Sequence, residues 1–96
     1  MGAADLEIIS KSENINLQME SDLVYLMKDA LNNRKDGYFI AKRCQESFGG
    51  SWIFIKFDYG QPGSSSFDMS FAFTSLKWIK FKYGHSLNFY LFQISE

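Results

Sequence analysis

Two stretches of the chain, SWIFIKFDY at 51–59 and KWIKFKYGHSLNFYLFQI at 77–94, are β-branched or aromatic at nearly every position. Runs of this kind favour strands, and these two lack the apolar/polar alternation of a sheet with one wet face. The second run holds two strands joined at Tyr83-Gly84-His85-Ser86. A sheet that is apolar on both sides needs two covers, and a chain of 96 residues has little left once its own helices take one face. A second copy of the chain is the expected cover for the other face. That expectation favours a binding or scaffolding role over an enzyme.

The first cover is visible in the sequence. Met19, Leu23, Leu26, Met27 and Ala30 fall on one stripe of a helix over 17–31, with Asn16 placed to cap it and Asn32-Asn33 to close it. Asn33 and Asp36 have the spacing of a capping box with Asp in the place of Glu. Ile40, Cys44 and Phe48 then repeat every four residues, with Ala41 beside them, up to Gly49-Gly50. A second helix therefore follows the first through a tight hairpin. After the strand at 51–59, GQPGSSS at 60–66 is a loop by composition. Beyond it Phe67, Met69, Phe71 and Phe73 alternate with Asp68, Ser70, Ala72 and Thr74, the period of a strand with one apolar and one mostly polar face. Residues 1–15 form a mixed N-terminal segment in which Ile8-Ile9 could add one edge strand, and 16–96 is expected to be the domain. Helices first and strands afterwards predict an α+β fold, two N-terminal helices packed on one face of an antiparallel sheet.

Chemistry is sparse. The formal net charge of −1 gives no overall pull toward nucleic acid or anionic membrane, and no apolar run approaches the length of a membrane-spanning helix. Cys44 is the single cysteine, so no intrachain disulfide can form; with no leader-like opening, a cytoplasmic, reducing compartment is expected. Gly2 could open a myristoylation signal, but Leu6 stands where Ser or Thr is wanted. Cys44 and His85 are the candidates for a nucleophile and base, yet one sits on the buried helix stripe and the other in a turn, so an inert thiol and a solvated imidazole are expected. One His and one Cys make no metal cluster, and Asp22, Asp29, Asp36 and Glu46 read as solvated helix faces. No catalytic residue, cofactor, metal or small-molecule substrate is expected.

FGGSWIFI at 48–55, directly after two helices, and WIKFKYG at 78–84 leading into LNFYLF at 87–92, resemble the small dynein light chains of the roughly eight-kilodalton hub class. The resemblance covers about 16–92. It implies a strand-exchanged homodimer, in which the crossed strand and the second helix form a groove for an extended peptide held by strand addition. Carried over by position, the crossing strand is Phe67, Asp68, Met69, Ser70, Phe71, Ala72 and Phe73, and Trp78, Lys80 and Lys82 form the groove floor. Trp52, Ile53, Phe54 and Ile55 fall at the dimer interface, Trp52 as packing. The implied partners are a dynein intermediate chain or other disordered segments, and the implied setting is a microtubule motor complex of the cytoplasm or axoneme. The chain departs from the pattern: Ile53 replaces a histidine, the crossing segment keeps mainly its aromatic alternation, and Lys80 and Lys82 replace two tyrosines. Those lysines raise the expectation of acidic partner peptides.

The alternative is a single-stranded nucleic-acid-binding sheet domain. Lys77, Lys80 and Lys82 interleave with Trp78, Phe81 and Tyr83, but Phe81 and Tyr83 alternate onto the face opposite Lys80 and Lys82, so stacking platform and phosphate clamp do not coincide.

Overall fold

The stripe of Met19, Leu23, Leu26, Met27 and Ala30 is the buried side of helix α1 (Leu17–Asn32). Asn16 caps it, its side chain accepting the Met19 N–H at 2.8 Å. The structure, a computed structural model, describes residues 5–58 and 76–96. Helix α2 (Gly37–Phe48) buries Ile40 and Cys44 and ends at Gly49, whose positive φ of 76° with a ψ of 175° is a conformation open to glycine. Its cap differs from the expectation drawn from Asn33. Asp36 caps α2, accepting the Phe39 N–H at 3.0 Å, whereas Asn33 closes α1 and donates its amide to the Asp29 carbonyl at 2.8 Å. The cause lies between them. Arg34 is left-handed (φ 54°) and the Lys35 N–H turns back to the Ala30 carbonyl at 2.9 Å, so the chain is still finishing α1 there; extended backbone suited to a new cap returns only at Asp36.

The strands are β1 (Leu6–Lys11), β2 (Ser51–Asp58), β3 (Trp78–Tyr83) and β4 (Leu87–Ser95). They form one sheet in the order β1-β3-β4-β2, antiparallel at every pairing. Leu91 lies between Phe54 and Ile79 across the three strands, and this row faces the helices. Ile79, Phe81 and Leu91 are fully buried there against α1 and α2, each worth about 1.5–3 kcal/mol of transfer free energy. On the opposite face Tyr90 lies between Ile55 and Lys80, and Phe92 between Ile53 and Trp78. Tyr90 and Phe92 are also buried, so Phe89 to Gln93 is covered on both sides, which is why β4 carries no alternation.

One corner fixes how α2 enters the sheet. Gly49 accepts at its carbonyl from Trp52 Nε1 (2.8 Å) and Gln93 Nε2 (3.2 Å), and Phe48 packs its ring 5.9 Å from that of Trp52. Gly50, at φ 76°, passes so close to the end of β4 that a Cβ there would run into the Ser95 carbonyl. At the other end of the sheet β1 pairs with β3 through a register shift between Ile8 and Ser10, and Lys11 bonds Glu20 of α1 at 3.1 Å. The strand expected over 67–73 lies outside the described residues.

Candidate functional site

The two ends of the described sheet differ. β1 is interrupted by its register shift, with Ile9 exposed, and an irregular edge of this kind is a poor template for a further strand. β2, the terminal strand at the other end, runs in unbroken register with β4 from Trp52 to Asp58, and α2 packs alongside it. Between α2 and β2 lie two depressions. One, of about 450 Å³, has an apolar floor of Leu31, Ile40, Phe54, Leu87 and Phe89 and is reached by Lys35, Asp36 and Lys56. The other, of about 210 Å³, is formed by Tyr38, Ala41, Lys42 and Gln45 of α2 with Ser51 and Trp52 of β2.

Gly37 shapes the first of these. A Cβ on Gly37 would sit 2.5 Å from Phe54 Cδ1, so only a bare Cα lets the Phe54 ring lie against the first turn of α2. The ring is also 5.5 Å from Phe89, which holds it from the sheet side. The polar rim has definite partners. Asp36 is engaged in capping α2, and Lys35 lies 5.4 Å over the Phe39 ring. Lys56 is exposed and forms no ion pair among the described residues.

Trp78, Lys80 and Lys82 share one face of β3, and it is the face turned away from α2. The Lys80 ammonium lies between two rings, 5.3 Å from Trp78 and 5.1 Å from Tyr90, and Lys82 stands opposite Glu7 and Asn88. The structure brings these three together but does not bring them to the helix. Trp52, Ile53, Phe54 and Ile55 divide by strand alternation: Trp52 and Phe54 join the helix-side core, while Ile53 and Ile55 lie on the other face beside Phe92 and Tyr90. Phe67, Asp68, Met69, Ser70, Phe71, Ala72 and Phe73 lie outside the described residues.

The residues that line the α2–β2 depressions include several that sequence patterning passed over. Gly37 at the start of an amphipathic helix and Lys56 within an otherwise apolar run were the available signals. Tyr90 and Phe92 share the lysine face of the sheet, but at 8% and 7% exposure they offer no open surface for bases to stack on. Cys44 is fully buried, and that burial pushes its thiol up to about 12 against the opposing pull of Arg43. His85 is exposed in the β3–β4 turn. Among the described residues no three His, Cys, Asp or Glu side chains converge as metal ligands would.

Solved structures similar to this one are dynein light chain-like domains. That of the Fasciola hepatica calcium binding protein FhCaBP2, in a mercury derivative, matches with a TM-score of 0.71 at 17% identity, covering 96% of this chain and 94% of that one. The native crystal of the same domain gives 0.68 at 16% identity, covering 97% and 96%. The DLC-like domain of CsTAL3 gives 0.71 at 15% identity, covering 96% and 95%. No protein-family model and no curated protein matches the chain. The chain therefore has the dynein light chain-like fold, carried by a divergent sequence.

Proposed function

We propose that the protein is a non-catalytic, homodimeric binding module that takes up an extended segment of a partner protein as an added strand. The observation that carries this reading is the regular strand β2, terminal in the described sheet and flanked by α2, with depressions between the two, on a dynein light chain-like fold. Strand addition uses such an arrangement well: backbone N–H and C=O groups along the edge hold the incoming chain, and alternate side chains enter the pockets beside it. In this proposal Phe67 to Phe73 of a second copy add next to β2 and the partner segment adds beyond them. In this proposal the face carrying the partly exposed Ile53 and Ile55 meets its counterpart in the second copy, with Trp78, Lys80 and Lys82 at its border. The likeness of fold extends the proposal to a dynein intermediate chain or another disordered segment as partner, and to a cytoplasmic, microtubule-associated setting.

The test is sedimentation of the purified protein at micromolar concentration, with and without a peptide from a dynein intermediate chain. A dimer that binds the peptide is the expected result. A protein that stays monomeric at that concentration would sink the dimeric hub.

A further inference from the structure

We infer that strand β1 is a removable strap over the edge of β3, and that this edge, once uncovered, takes up a foreign strand of apolar-acidic-apolar pattern in its place. The site lies at the opposite end of the described sheet from β2 and does not depend on what adds there. Of the four described strands, β1 is the one with no buried residue. Leu6 and Ile8 rest half-buried against the core, and Ile9 is exposed at the register shift. Beyond its ladder with β3 and these two side chains, β1 is held by polar contacts at its ends. At one end the Asp5 carbonyl accepts the Gly84 N–H at 3.3 Å. At the other, Ser12 Oγ accepts the Trp78 N–H at 3.0 Å and donates to the Trp78 carbonyl at 3.3 Å, while the Ser12 N–H donates to the same carbonyl at 2.9 Å. A single serine thus holds both main-chain groups of Trp78 and acts as the latch.

The chain is fixed again just beyond the latch. Ile15 is buried in the core and Asn16 caps α1, whereas Glu13 and Asn14 between latch and anchor form an exposed turn. Residues 5–12 therefore swing on that turn without disturbing the helix. Strand β3 stays paired with β4 from Trp78 to Tyr83, so the edge that β1 leaves is already formed. The strap itself shows what that edge accepts. Leu6 and Ile8 stand opposite Tyr83 and Phe81 on the helix side, and Glu7 between them stands opposite Lys82 on the other face. Lys82 is exposed and forms no ion pair among the described residues, so an acid at the Glu7 position gains a cross-strand partner and a lysine there meets like charge. A strand without the extra residue at Ile9 pairs with β3 in unbroken register, which β1 does not achieve.

Amide exchange of the full chain, followed by NMR, tests the strap. The β1 amides and those β3 amides directed at β1 are expected to open as one unit, about a hundredfold faster than the amides joining β3 to β4, and about tenfold faster still in Ser12→Ala. A peptide with the sequence of residues 5–13, added in trans, tests the edge. Because the variant is open more of the time, the peptide is expected to bind Ser12→Ala about tenfold more tightly than the parent and to shift the amides of β3 rather than those of β2. The same peptide with Glu7→Lys is expected to bind about tenfold more weakly. Amides of β1 that exchange only together with those of β4 would overturn the strap, and the parent's exchange pattern decides this whether or not the variant folds. Peptide shifts confined to β2, equal affinity for parent and variant, or no binding to the variant would overturn the site on β3.

Discussion

Arg34 is a left-handed residue with a side chain, held there by the reversal that carries the chain from α1 to α2. Glycine occupies that conformation without the Cβ conflict, so Arg34→Gly is expected to stabilise the fold by up to about 1 kcal/mol, as a rise in urea midpoint would register. Cys44 gives a prediction of opposite character. Its thiol is held protonated to about 12 in the fold, against 9.0 for an unperturbed thiol. The folded state thus binds the proton more tightly than the unfolded state. The associated stability is whole below pH 9 and is lost as pH rises from 9 toward 12, by at most about 1.4 kcal/mol per pH unit. Urea unfolding across that window should show a steeper alkaline loss for the parent than for Cys44→Ala. At neutral pH a thiol reagent should label Cys44 only once denaturant is added.

At the scale of elements, each helix is set by a single side chain at its start. Asn16 and Asp36 each accept one backbone N–H that would otherwise have no partner within its helix. Asn16→Ala and Asp36→Ala are each expected to cost about 1 kcal/mol, read as the shift in urea midpoint at constant slope. The surface ion pairs should matter less. Lys11–Glu20 and Arg43–Asp29 are partly exposed, and a double-mutant cycle on either should return under about 1 kcal/mol, falling with salt. Strand β1 shows how an element can depend on its neighbour. Its own sequence has only the Ile8-Ile9 pair, yet it forms six residues of strand because β3 offers a partner edge and α1 supplies Glu20 for Lys11.

For the whole molecule the decisive feature is a sheet whose two faces are both apolar: the helices pack on one, and on the other Tyr90 and Phe92 are buried while Ile53 and Ile55 remain partly exposed. If a second copy covers the other, Ile55→Asp places a charge in the middle of that contact and should shift the protein to monomer in sedimentation. The helix-side core, which Ile55 does not enter, should keep its circular dichroism. The sequence by itself determined what depends on neighbours along the chain. The spacing of Met19, Leu23, Leu26 and Met27 dictated α1, Gly49-Gly50 ended α2, and the aromatic runs could only be strands. It also carried enough order and spacing to resemble the fold that the solved structures share. Tertiary structure alone decided the strand order β1-β3-β4-β2 of the described sheet, and with it that β2 is the described strand beside α2. It decided that Asp36 rather than Asn33 caps α2, because the reversal at Arg34 moved the helix start. It also decided which lysines lie near the helix. Lys80 and Lys56 both interrupt apolar runs, but alternation within a strand fixes only that neighbours point to opposite faces. Which face meets the helices is set by packing between distant segments, and that put Lys56 into the cavity with Lys35 and Lys80 on the far side of the sheet.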